Sequence, residues 1–201
     1  MQFRDLREDE IECRVQSVKE NGLVLLLYKN ARCDMNILDE TVGPENWQRE
    51  HYECKGNLFC RVGINCDRVS EAEFQHKEWV WKSDCGVESN TEAQKGEASD
   101  SFKRACFNWG IGRELYTAPF IWVPASKCDI LERNDRNGKT VFVCYDKFEV
   151  EKIIVENKRI TAISIINTSN DSAKNADKRC FVMMPKPSTA LIRELKESKN
   201  Q

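Results

Sequence analysis

The stretch from Lys95 to Tyr116 constrains this chain more tightly than any other part of it. Ala98, Phe102, Ala105 or Cys106, and Trp109 recur at helical spacing and form one apolar stripe. Gly110 and Gly112 then supply a stop, because glycine readily takes the left-handed backbone found at helix ends. A helix that is apolar on one side only must dock, so the rest of the fold has to provide a surface that receives it. At about 100° per residue, Lys103 falls at the edge of the stripe and Arg104 far from it. Two cations fixed on a docked helix can present charge to a polyanion. The plainer alternative is an i,i+4 surface pair between Asp100 and Arg104.

The receiving surface is legible upstream. Leu58, Cys60, Val62, Ile64 and Cys66 alternate with Arg61, Asn65 and Asp67, the period of a half-buried strand over Leu58–Cys66. Lys55-Gly56-Asn57 reads as a hairpin connection to a preceding strand over Trp47–Cys54. Trp79–Cys85 reads as a further strand with Trp79 and Trp81 on one face, and the helix runs from about Thr91 to Trp109. Ahead of these, Asp9–Val18 is a short helix or strand leading into an Asn21-Gly22 turn. The apolar run Leu23–Tyr28 is a buried strand, far too short to span a bilayer. A short helix over Asp34–Val42 is halted by Gly43-Pro44. The pattern is α+β, an antiparallel sheet crossed by a long helix.

Beyond Pro124 the character changes. Asn137-Gly138 reads as a hairpin turn and Val141–Tyr145 as a strand, while Phe148–Val155 and Arg159–Ile166 flank a second hairpin at Glu156-Asn157-Lys158. Asn167–Lys178 has linker composition, and Ser188–Lys196 has the signals of a short terminal helix. The organisation expected is a core over 1–124, a β-rich extension over 125–166, and a linker with terminal helix over 167–201. No internal repeat is present.

Charge and cysteine content narrow the function. With 31 basic and 33 acidic residues the net charge is −2, which argues against indiscriminate nucleic-acid binding but leaves room for a local basic groove. Ten cysteines are scattered without a C-x-x-C pair, the pattern of small buried hydrophobes in an intracellular protein. His51 and Cys54 do not extend to a metal-ligand spacing, so no metal is expected. The charged N-terminus lacks the apolar core of a secretion signal. No G-x-x-x-x-G-K-[ST] loop is present, so ATP-driven chemistry is disfavoured. Gly110-Ile111-Gly112 follows a helix, whereas a dinucleotide fingerprint follows a strand. The carboxylates Asp34, Asp39, Glu40, Asp84, Glu88 and Asp100 show no spacing that marks ligands.

Two segments together resemble a known family. Lys95-Gly-Glu-Ala-Ser-Asp, with Lys103-Arg104-Ala105 and Gly110-Ile111-Gly112-Arg113, resembles the core helix of bacteriophage single-strand annealing proteins (Sak-like) of the Rad-fifty-two superfamily. Upstream, Asn36-Ile-Leu-Asp-Glu40, Gly43 and Trp47, preceded by Tyr28 and Arg32, resemble that family's short helix and following tryptophan. The resemblance spans roughly Leu6–Tyr116. It implies a β-β-β-α core that assembles into rings or short filaments, with single-stranded DNA in a basic groove and bases exposed for pairing. Lys103 and Arg104 match the groove-lining Lys-Arg pair, Arg32 a groove arginine, and Lys95 and Arg113 flank the same helix as secondary DNA contacts. Phe107 stands where eukaryotic members carry a further basic residue.

The function implied is ATP-independent, cofactor-free annealing in homologous recombination, without enzymatic activity, in the cytoplasm of a bacterial host. The partners implied are single-stranded DNA, the annealed duplex, further copies of the chain, and a single-strand-binding protein or phage exonuclease. Phosphate contacts by Lys and Arg ignore sequence, as an annealer needs. Trp79, Trp81 and Trp109 are spaced for core packing rather than base stacking. Other readings are a metal-dependent nuclease or other DNA-processing enzyme, and an oligomeric scaffold that does not bind DNA.

Overall fold

The computed structural model describes residues 1–69, 75–87, 93–169 and 178–184. Its elements run β1 (Glu12–Lys19), β2 (Gly22–Tyr28), α1 (Ala31–Val42), β3 (Trp47–Cys54), β4 (Asn57–Val69), β5 (Gln75–Cys85) and α2 (Ala93–Trp109). There follow β6 (Ile121–Pro124), β7 (Leu131–Asn134), β8 (Thr140–Val143), β9 (Phe148–Glu156), β10 (Arg159–Asn167) and β11 (Arg179–Met183). Two compact units interleave along the chain: Met1–Leu6 with Tyr28–Tyr116, and Arg7–Leu27 with Thr117–Gln201.

The first unit is built on the antiparallel sheet β3-β4-β5. Cys54 pairs with Asn57, so the connection is the two-residue turn Lys55-Gly56, whose positive φ values of 52° and 75° are those of a tight hairpin. The alternation read from the sequence sorts β4 cleanly. Cys60, Val62 and Ile64 are fully buried on one face, against fully buried Phe102, Ala105 and Cys106 of α2. Fully burying side chains of this size stabilises the fold by about 1.5–3 kcal/mol for each large one.

Helix α1 starts three residues earlier than the pattern suggested, because the Asn30 side chain accepts the Cys33 N–H at 3.0 Å and caps it. It ends at Gly43, with φ 85°. Ile37 and Leu38 of α1 are fully buried. Trp47 ties the helix to β3: its Nε1 donates to Asp39 Oδ1 at 2.6 Å, and its ring stacks 6.1 Å from Phe102.

The two tryptophans of β5 depart from the core-packing expectation. Trp81 pairs with Gly63 and Trp79 with Asn65, which puts both on the face of the sheet opposite to Val62 and Ile64. Trp79 remains exposed, and Trp81 covers Gly63 so closely that a Cβ there would fall 2.8 Å from its ring. Arg61 lies over the Trp81 ring, 4.7 Å from its centroid. Trp109, by contrast, packs as the stripe implied, donating from Nε1 to the Val62 carbonyl at 3.0 Å.

The second unit holds a six-stranded, nearly closed sheet in the order β11-β10-β9-β1-β2-β6. The segment Asp9–Val18 resolves into a short 3-10 turn at Glu8–Glu10 followed by strand β1. The expected hairpin at Glu156-Asn157-Lys158 joins β9 to β10 through Asn157 and Lys158, both with positive φ. It is part of this sheet. Strands β7 and β8 form a separate two-stranded ribbon whose Asn137-Gly138 turn is held by hydrogen bonds to Asp135. The terminal helix expected over Ser188–Lys196 lies outside the described residues, as do 170–177 of the expected linker.

Candidate nucleic-acid interface

Helix α2 is held on the sheet at both flanks. On the β3 side, His51 Nε2 donates to the Ala98 carbonyl at 3.1 Å and the Arg49 guanidinium lies 4.7 Å from the Phe102 ring centroid. On the β5 side, Lys82 donates to the Asn108 carbonyl at 2.9 Å and lies over the Trp109 ring. Near its start, Glu97 accepts the Leu58 N–H at 3.0 Å. Gly86 passes so close that a Cβ there would meet the Glu97 carbonyl oxygen at 2.2 Å, so only glycine fits.

The Gly110-Ile111-Gly112-Arg113 segment has a separate physical basis at each position. Gly110 and Gly112 have φ of 99° and 71° and turn the chain out of the helix, while Ile111 is fully buried. A Cβ at Gly112 would fall 2.3 Å from Lys29 Cε. Lys29 is buried there and paired with Asp34, which is fully buried in the first turn of α1. Arg113 closes the helix by donating to the Phe107 and Asn108 carbonyls at 2.9 and 3.0 Å. Burial, then the Asp34 charge, raises the Cys106 thiol well above its ordinary pKa, so it is an inert core group.

Lys103 and Arg104 occupy the partly exposed rim of α2. The Lys103 side chain is 24% exposed, with Nζ 3.9 Å from Asp100 Oδ1. The Arg104 side chain is 42% exposed, and its Nε donates to Asp84 Oδ1 on β5 at 3.2 Å. The alternative i,i+4 pairing of Asp100 with Arg104 gives way: Asp100 accepts the Val87 N–H at 3.2 Å, and Arg104 finds its carboxylate on the strand beneath the helix. Desolvation lowers the Arg104 pKa, but Asp84, Tyr116 and Asp100 outweigh it and hold the guanidinium firmly protonated.

Arg32 is exposed on the first turn of α1, whose next two residues, Cys33 and Asp34, are buried. Lys95 belongs to the first turn of α2, and its side chain is outside the described set. Among the residues predicted from the sequence, the structure therefore gathers Lys103, Arg104 and Arg113 on one helix and its cap, with Arg32 on the neighbouring helix. Sequence reasoning did not anticipate Asp84, the Lys29–Asp34 pair, or a ring contact between Phe107 and Tyr116. Each joins residues distant in sequence or outside a regular period, so no spacing rule reports it. Among the described residues no three His, Cys, Asp or Glu side chains converge as a metal site, and no helix is long and apolar enough to cross a membrane.

A model of the Rad52/22 family of double-strand break repair proteins matches residues 4–129, including every element from β1 to β6. The chain belongs to the Rad52/22 family. It is a DNA repair and recombination protein, and its Rad52/22 membership implies single-stranded DNA binding and annealing by a class of proteins that are generally not enzymes. The match reaches past the Leu6–Tyr116 span of the sequence resemblance on both sides. The β3-β4-β5-α2 arrangement is the β-β-β-α order which that resemblance implied. No curated protein matches the chain.

Proposed function

We propose that this Rad52/22-family chain anneals complementary single strands without ATP or metal, holding the phosphate backbone along the α2 rim while the bases stay free to pair. The observation that carries the reading is the placement of Lys103 and Arg104. Both stand on a helix anchored by a fully buried stripe, yet both remain reachable from solvent. Cations fixed on a rigid element contact phosphate without regard to sequence.

Arg32 is assigned to the same contact. A cation in the first turn of a helix opposes the helix dipole, a position that stability alone disfavours and that an anionic ligand would relieve. Lys95 and Arg113 are secondary contacts. Arg113 spends two of its donors on the helix end and keeps the rest of its guanidinium for a ligand. A ring or short filament of copies is part of the reading, since intersubunit pairing would cover exposed sheet edges. So are a phage source, a bacterial cytoplasmic setting, and cooperation with a single-strand-binding protein or exonuclease.

The test is annealing of two labelled complementary oligonucleotides with chelator present and nucleotide absent, followed by light scattering of the same sample. Intact strands converted to duplex by an assembly larger than a dimer support the reading. Strand degradation in magnesium, a strict ATP requirement, or a monomer at micromolar concentration with and without DNA would overturn it. The variant Lys103→Ala/Arg104→Ala should flatten the salt dependence of binding by about 0.7 in the log–log slope for each phosphate contact removed.

A further inference from the structure

The rim of α2 does not end at its cations. Phe107 lies four residues after Lys103 and three after Arg104, so the three side chains are neighbours on one helix face. Its ring contacts Tyr116 with centroids 4.5 Å apart and planes 51° apart. Tyr116 is 70% exposed, and Phe107 is partly exposed. The Arg113 guanidinium lies 5.5 Å from the Phe107 ring centroid and is itself pinned by its two bonds to the end of the helix. Tyr116 is also within electrostatic reach of Arg104. This is a pair of touching rings, with an arginine over one and the other facing solvent.

We propose that Phe107 and Tyr116 form a stacking platform for a base of the bound single strand, beside the phosphate contacts of Lys103 and Arg104. The inference rests on the annealing reading above and adds to it a role for two residues that are not cationic. A polyanion that also carries flat π-faces is the ligand whose chemistry matches cations and exposed rings side by side. Stacking uses the face of a base and leaves its pairing edge open, so a stacked base can still be matched by a second strand. In a duplex the same face is covered by the next base pair. The platform therefore favours single strands over annealed product and helps release it. Ring order set by Arg113 keeps the entropy loss on binding small.

The test compares an oligothymidylate with an abasic strand of the same length and charge, in titrations across a range of salt. Wild type should bind the base-bearing strand on the order of tenfold more tightly. Tyr116→Ala should lose that preference and keep its salt slope, whereas Tyr116→Phe should retain both. A 2-aminopurine placed in the strand should be quenched on binding by wild type and Tyr116→Phe, and less so by Tyr116→Ala. Equal wild-type affinity for the two strands would overturn the proposal. So would a Tyr116→Ala protein that keeps the base preference, including one that instead changes oligomeric state, since the rings would then be a contact between copies. Failure of the cationic reading looks different: Lys103→Ala/Arg104→Ala would leave affinity and salt slope unchanged.

Discussion

Arg104 on α2 bonds Asp84 on β5 at 3.2 Å, although Asp100 stands one helical turn away in sequence. Asp84 is held in place for this: one of its oxygens accepts the Cys85 N–H at 2.9 Å, and Asn108 approaches the other at 3.4 Å. Lys103 and Arg104 thus each face a carboxylate, and a phosphate must compete with Asp84 for the guanidinium.

Replacing Asp84 by Asn should release Arg104 while keeping the shape of the site. A partly exposed pair contributes about 0.2–1 kcal/mol, so denaturant unfolding should change little. Affinity for single-stranded DNA should rise several-fold, with a steeper salt dependence. An Asp84→Asn protein that binds more weakly at every salt concentration would show that the pair positions Arg104 for DNA instead of restraining it.

Lys29 and Asp34 form a pair sealed under Gly112. Asp34→Ala leaves the ammonium buried without its carboxylate, which should destabilise the fold by about 3–5 kcal/mol. Chemical denaturation of the variant measures it directly. A loss below about 1 kcal/mol would mean that water reaches this site.

Glu151 accepts hydrogen bonds from Arg179 Nε at 2.6 Å and Ser164 Oγ at 2.7 Å. Chiefly through the Arg179 bond, then that of Ser164, its pKa falls from 4.5 to about 2. The folded pKa lies below the unfolded one, so the stabilisation is complete above about pH 4.5 and is lost as pH falls through about 2. Glu151→Gln, which cannot ionise, should be less stable than wild type near neutrality, with the difference vanishing at the acid end. Parallel stability curves for the two proteins across that range would contradict the assignment.

The cysteines should separate sharply in reactivity. Burial, assisted by Cys180 and Glu149, pushes Cys13 up to about 12, and burial with Cys144 pushes Cys128 to about 12, while Cys54 is exposed. Alkylation of the folded protein at mildly alkaline pH, read by peptide mass mapping, should modify Cys54 first and Cys13, Cys106 and Cys128 far more slowly. In denaturant the differences should disappear. Early labelling of Cys13 or Cys128 in the folded protein would contradict this packing.

What the sequence determined by itself was local and periodic. The alternation of Cys60, Val62 and Ile64 and the stripe of Phe102, Ala105 and Cys106 are two halves of one interface, and each half carries its own period. The same holds for the Gly110 stop, the Lys55-Gly56 turn and the position of Lys103 and Arg104 on the rim. Tertiary structure decided what joins residues far apart in the chain. It gave Arg104 to Asp84 rather than Asp100, because a strand crossing beneath the helix offers a carboxylate better placed than the helix's own. It turned Trp79 and Trp81 to the face away from α2, since pairing with Asn65 and Gly63 fixes their side of the sheet whatever their hydrophobicity. It also joined β1 to β9 and β2 to β6, strands that begin more than ninety residues later, so the two compact units interleave along the chain. Strand partners are chosen by hydrogen-bond register and shared burial across the whole chain, and a local period carries no record of either.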